Sequence, residues 1–140
     1  MAPKFGTSGL RGLVVELTSD LVADYLRAFL AACPVESGLY VGRDLRPSSP
    51  ALADHVIAAA RGEGINVTDC GAVPTPALAL AAMQAGAGAV MVTGSHIPAD
   101  RNGLKFYLPH GEISKADEAA ILAALGRAPR CGDAALSHLS

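Results

Sequence analysis

The sequence predicts a three-layer α/β/α domain with a mixed, mainly parallel sheet. Three short apolar runs bounded by glycine, at 39–41, 65–67 and 89–92, have the composition of strands buried on both faces. Segments with a helical apolar period lie between them, and this alternation belongs to a sheet covered on both sides by helices. At 140 residues the chain has room for one hydrophobic core.

Each element has its own local signal. Val14 and Val15 suggest an opening strand. Leu21, Tyr25, Ala28, Phe29 and Ala32 then recur at helical spacing and give one apolar face, with Ser19 or Thr18 as the N-cap and Pro34 and Gly38 closing the helix. After the strand at 39–41, Ser49 caps a second helix with Pro50 at its first position. Leu52, Val56, Ala59 and Ala60 line its inner face, and Gly62 or Gly64 stops it. A third helix runs from Pro76 to about Gln84 and leads into the strand at 89–92. Residues 103–108, GLKFYL, alternate partly, as a strand with one solvated side does, and one antiparallel edge strand fits such a sheet. The last helix covers 115–125 behind a Ser114 cap. Periodicity is lost after Leu125, so the domain is placed at 1–126 and residues 127–140 read as the start of a linker or a cut end.

Composition narrows the function classes. A hydrophobic fraction of 51% excludes disorder, because that much apolar surface offsets the entropy of ordering the chain. The net charge of −2 lacks the basic excess that attracts polyanions, so nucleic acid is not an expected partner. Charged residues make up 17%, below the roughly 25% usual for soluble domains. Neighbouring domains of a larger protein would cover the missing surface, and the isolated domain is open to self-association. Three cysteines without metal-ligand spacing point to reduced thiols and a cytoplasmic address, and the N-terminus has no signal-peptide core. No Asp, Glu, Lys or Arg occurs over 70–99, but Pro74, Pro76, Gln84, Gly86, Gly88 and Gly94 break that run below bilayer length. No membrane association is expected; a buried helix and a buried strand account for the run.

The chemistry gathers after the strand at 89–92. The sequence MVTGSHIP places Ser95 just past the carboxyl end of a buried strand, where open α/β sheets hold ligands. Gly94 removes a side chain beside it, and Pro98 stiffens the loop, so the Ser95 hydroxyl is presented to attack or to carry a transferable group. The plainer reading is a turn serine bonded to local backbone. A serine hydrolase is disfavoured: Ile97 stands where the nucleophile elbow needs its second glycine, and His96 adjoins Ser95 too directly to serve as its base. His96 remains a polar lining group, a proton shuttle or a hydrogen-bonded loop histidine.

Five motifs in order carry a family resemblance: FGTSGLRG at 5–12, GRDLRPSS at 42–49, VPTP at 73–76, TGSHIP at 93–98 and NGLK at 102–105. Together they resemble the first, phosphoserine-bearing domain of the α-D-phosphohexomutase family. The resemblance implies that Ser95 carries a phosphoryl group, hands it to a hexose phosphate, and regains one from the bisphosphate intermediate. It makes Arg11 and Lys105 positive residues near the phosphoserine, with Ser95, His96, Lys105 and Arg11 as the catalytic set. Arg11 offers a guanidinium fork for phosphate oxygens, and Lys105 neutralises charge or moves the proton of the sugar hydroxyl. Thr7, Ser8 and Asn102 are assigned to substrate or phosphate binding. Arg43, Asp44 and Arg46 read as a charge-paired loop after a strand and stay outside the catalytic list.

Further consequences of the resemblance concern ligands and partners. Mg²⁺ is expected as cofactor, bound through phospho-Ser95 and a second domain, because no DxDxD loop occurs in this chain. Hexose 1,6-bisphosphate is the expected activator, a hexose phosphate the substrate, and the remaining domains of a parent enzyme the partners. Many relatives read TASHNP where this chain has TGSHIP, which puts Gly94 for alanine and Ile97 for asparagine. TGSHIP with DRNGLKFY is similar to the phosphomannomutase branch, so mannose phosphates are the expected substrates. Phosphoglucosamine mutase is the alternative within enzymes, and a non-catalytic sugar-phosphate-binding module the alternative outside them. The 140-residue chain is expected to fold yet show no mutase activity of its own.

Overall fold

The computed structural model describes residues 4–6, 9–33, 35, 38–94 and 101–127. Its elements are β1 (Lys4–Gly6), β2 (Gly9–Leu13), a 3-10 turn (Val14–Glu16), α1 (Ser19–Ala32), β3 (Leu39–Arg43), α2 (Ser49–Gly62), β4 (Val67–Ala72), α3 (Thr75–Ala85), β5 (Gly88–Val92), β6 (Arg101–Leu108), β7 (Gly111–Glu112) and α4 (Lys115–Arg127). The sheet runs in the order β1-β2-β6-β5-β3-β4, with β7 on β6. Strands β3, β4 and β5 pair in parallel, and β6 joins them antiparallel to β5. The ladders make β2 and β7 co-directional with that block and turn β1 and β6 against it. The sheet is thus mixed, as expected, with most strands sharing one direction.

Side-chain alternation along the strands builds the three layers. From β5, Val90 and Val92 enter a core with α1, α2 and α4, while Ala89 and Met91 point the other way, to Leu78 and Ala82 of α3. Phe29 of α1 and Phe106 of β6 pack with ring centroids 4.9 Å apart, and Phe5 packs edge-on against Phe106 at 5.9 Å. Side-chain caps start α1 and α4, whereas α2 starts one residue earlier than expected, with Ser48 at the N-cap position making no side-chain cap bond and Ser49 as the first helical residue. Thr18 accepts the Leu21 amide at 3.2 Å to start α1, so of the two candidate caps Thr18 is used. Ser114 accepts the Asp117 amide while Asp117 accepts the Ser114 amide, a reciprocal box at the start of α4. Gly86 ends α3 in the left-handed conformation.

Three strand boundaries also differ from the sequence reading. Val14 and Val15 lie in the 3-10 turn, and the opening strands are β1 and β2, whose glycines hid them. β4 begins at Val67 and continues through Thr68, Asp69 and Cys70; as an edge strand paired only with β3 it tolerates polar side chains. β6 is interior, flanked by β2 and β5, and is buried on both faces apart from Arg101 and Lys105. The mid-strand lysine gave it the look of a half-solvated strand.

Candidate functional site

The carboxyl ends of β3, β4 and β5 form one rim of the sheet, the position at which α/β sheets leave a crevice for ligands. A cavity of about 390 Å³ opens there, lined by Arg43, Asp44, Leu45, Ala72, Val73 and Pro74. β5 ends at Val92, and the chain continues through Thr93 and Gly94 toward Ser95. Of the residues singled out from the sequence, Ser95, His96, Thr7 and Ser8 lie outside the described residues. Arg11, Asn102 and Lys105 lie within them.

Arg11 and Lys105 fall on one face of the sheet. In the β2–β6 ladder Arg11 is opposite Gly103, and Lys105 follows two residues along β6, opposite Met91 of β5. The alternate residues Leu10 and Leu104 point into the α1/α2/α4 core, so Arg11 and Lys105 point toward the α3 side, diagonal neighbours across two strands. Both are partly exposed. Gly9 fixes how β2 enters: at φ 94° its backbone lies on β6, and a Cβ there would strike the Leu104 carbonyl and come 3.0 Å from the Lys105 Cα.

Asn102 sits differently from the place given to it as a phosphate or substrate ligand. It is fully buried, on the face opposite Arg11 and Lys105. Its Nδ2 donates to the Ser48 hydroxyl at 2.8 Å and the Ser49 hydroxyl at 3.0 Å, and its Oδ1 accepts the Gly103 amide at 2.8 Å. With both amide protons used internally, Asn102 ties β6 to the start of α2.

The residues set aside in the sequence, by contrast, reach the site. Asp44 Oδ2 accepts the Gly94 amide at 2.9 Å, and Oδ1 accepts the Arg46 amide at 3.1 Å and the Ser49 hydroxyl. Burial alone would raise the carboxyl pKa, but bonds from Ser49, Gly94, Arg46 and Thr93 outweigh it and hold Asp44 below the usual carboxylate value. Arg46 Nε lies 3.5 Å from Asp44 Oδ2, so the expected charge pairing is present, and Arg46 Nη1 donates to the Arg101 carbonyl at 3.2 Å. The signal was GRDLRPSS itself, one of the five motifs, whose partners lie too far along the chain to be read from spacing.

Among the described residues no group of three His, Cys, Asp or Glu side chains could hold a metal ion. Asp44, the carboxylate nearest the Ser95 loop in these bonds, is already surrounded by donors. The described residues by themselves therefore do not make a Mg²⁺ cage.

Comparison with known proteins places this geometry. Residues 2–129 match the family described as phosphoglucomutase/phosphomannomutase, alpha/beta/alpha domain I. A phosphomannomutase of Sinorhizobium fredii is 55% identical over 129 residues, covering 88% of this chain and 27% of that protein. A probable phosphoglucosamine mutase of Methanothermobacter thermautotrophicus is 38% identical, with 84% and 27% covered. A crystal structure of a phosphoglucomutase/phosphomannomutase family protein from Burkholderia thailandensis superposes with a TM-score of 0.73 at 28% identity, covering 89% of this chain and 31% of that one. The chain thus spans about a quarter of the length of the curated relatives it matches. It belongs to the phosphoglucomutase/phosphomannomutase family and carries that family's alpha/beta/alpha domain I.

Proposed function

We propose that this chain supplies the phosphoserine domain of a phosphohexomutase that interconverts hexose 6-phosphate and hexose 1-phosphate, acting on mannose phosphates. The observation that carries the reading is the placement of Arg11 and Lys105 on one face of the sheet, beside the end of β5 that leads to Ser95. Mannose preference is supported by the 55% identity to a phosphomannomutase, against 38% for the probable phosphoglucosamine mutase.

In this reading the sugar hydroxyl attacks the phosphorus of phospho-Ser95. A P–O bond forms to the sugar, the bond to Ser95 Oγ breaks with its electron pair left on Oγ, the sugar hydroxyl proton passes to Lys105 or His96, and Oγ takes up a proton to restore the serine hydroxyl. Reversal from the other end of the bisphosphate restores phospho-Ser95. Arg11 pairs with phosphate oxygens through its fork, and Thr7 and Ser8 line the same subsite. Mg²⁺ would be held by phospho-Ser95 together with the carboxylates of a DxDxD loop in a second domain, a pattern that does not occur in this sequence. Domain I covers 1–126, the other domains bring the sugar-binding groups, and the 140-residue chain alone folds without turning over substrate. The protein acts in the cytoplasm.

Mass spectrometry after treatment of the parent-length protein with glucose 1,6-bisphosphate tests this. One added phosphate on Ser95, absent in Ser95→Ala, is expected; no phosphate on Ser95 would leave a non-catalytic binding module. Kinetics with each hexose 1-phosphate test the sugar, and dominance of glucosamine 1-phosphate would defeat the mannose assignment.

A further inference from the structure

We infer that Asp44 and Arg46 are positioning residues for the reacting serine, forming with Ser48 and Ser49 a clasp that grips the backbone on both sides of residues 95–100; as a statement about catalysis this rests on the function proposed above. On the incoming side, the sheet ladder carries the chain only so far. β5 and β6 pair up to Val92 and Leu104, and the Thr93 amide adds one more bond to the Gly103 carbonyl at 3.0 Å. Beyond that point the Gly94 amide goes to Asp44, a residue 50 positions away. The Asp44 amide in turn donates to the Val92 carbonyl at 2.9 Å, so Asp44 holds the end of β5 by backbone and by side chain.

On the outgoing side the same segment holds the return. Arg46 Nη1 donates to the Arg101 carbonyl, 55 positions away, and the Ser48 and Ser49 hydroxyls accept from the Asn102 side-chain Nδ2. The two halves are one network, because Asp44 Oδ1 accepts from Ser49 and Oδ2 faces Arg46 Nε. The arginine also packs on the glycine of TGSHIP: a Cβ at Gly94 would fall on the Nε and Cζ of Arg46, so the guanidinium would have to shift to admit one. The guanidinium therefore lies directly over the residue that precedes Ser95.

Such a network suits placement better than bulk stability. A charged, partly exposed cluster adds little net folding energy, because desolvation cancels much of its attraction. It does fix distances, and a misplacement of about 1 Å at a reacting centre costs on the order of a hundredfold in rate. Asp44 and Arg46 touch neither phosphate nor sugar in this account; they act through Gly94 and Arg101.

Two variants of the parent-length protein, Asp44→Asn and Arg46→Met, test the clasp with two independent readouts. Hydrogen exchange at the Gly94 amide reports the grip itself and is expected to speed up by about tenfold or more in both, while core amides of β3 and β5 keep their protection. Phosphorylation of Ser95 by glucose 1,6-bisphosphate and mutase turnover report the consequence. Both rates should fall by on the order of tenfold to a hundredfold with KM changed little, and Arg46→Lys should recover only part, since a point charge cannot span Asp44 and Arg101 together. Unchanged Gly94 exchange in both variants overturns the clasp. So does turnover within about twofold of wild type in both, or a loss that merely tracks global unfolding across the core amides. If wild-type Ser95 accepts no phosphate, the proposed function fails, and the exchange measurement still decides whether the clasp exists.

Discussion

Arg11 and Gly103 face each other in the β2–β6 ladder, and the arginine side chain lies over the glycine. A Cβ at Gly103 would come 3.1 Å from Arg11 Cγ and 2.7 Å from the Leu10 carbonyl oxygen. The first contact is with a movable side chain, the second with backbone in an adjacent strand. Gly103→Ala should therefore push β2 away from β6 at a cost of about 1–3 kcal/mol, as overpacking does. Urea unfolding measures it. Arg11→Ala in the same chain should return little of the loss, because the Leu10 carbonyl stays in place; full recovery would locate the strain in the arginine instead.

The acid limb of stability should carry the signature of Asp44. Its carboxyl is held below the ordinary value in the folded chain, so it contributes stability that is present above the unfolded value, near pH 4, and is lost as pH falls through the lower folded value. As pH falls below about 4 the wild type should lose stability faster than Asp44→Asn, and the Gly94 amide resonance should move as Asp44 takes up its proton. Parallel acid limbs in the two proteins would show that Asp44 is not held as described.

These two relationships differ in how far the sequence reveals them. Strands β3 and β5 were legible because residues 39–41 and 89–92 form apolar runs bounded by glycine, and α1 was legible from Thr18 and its apolar stripe. β6 was legible as a strand but not as an interior one, since Lys105 imitates the polar side of an edge strand. The clasp left no trace in periodicity. Asp44 and Gly94 meet through a single bond across 50 residues, and nothing in the local pattern distinguishes that aspartate from one that caps its own turn. Asn102 shows the converse: its place in NGLK suggested a ligand, and its side-chain amide bonds two serines, Ser48 and Ser49, at the start of α2. Motif matching finds the neighbourhood of a site, and long-range hydrogen bonds assign the parts within it.

The thiols should separate by burial. Burial pushes the Cys33 thiol up to about 11, with the charge of Asp117 acting in the same sense. At pH 8 roughly one part in a thousand is thiolate, and the side chain is closed off in the α1/α2/α4 core. In a Cys131→Ala background, a thiol reagent should modify Cys70 in the native state and reach Cys33 only on unfolding. Cys70 is raised too, by burial first and by Asp69, but it lies on the edge strand and is partly exposed. Equal labelling rates would contradict the packing of α1 on the sheet.

Lys105 and Arg11 yield the sharpest division between binding and chemistry. Their shared face puts two positive groups beside the end of β5, and charge on a phosphoryl group in flight is what such groups stabilise. In the parent-length enzyme Lys105→Met should lower kcat more than it raises KM, because the interaction matters most as the phosphoryl group moves. Arg11→Lys should lower kcat as well, since the ammonium keeps the charge but not the two-pronged geometry. Neither change should unfold the domain: both side chains are partly exposed, and the β2–β6 pairing they flank is carried by backbone bonds and by Leu10 and Leu104 in the core. Wild-type turnover in either variant would reduce that residue to a solvated charge on the sheet. A rise in KM at unchanged kcat would make it a ground-state phosphate ligand.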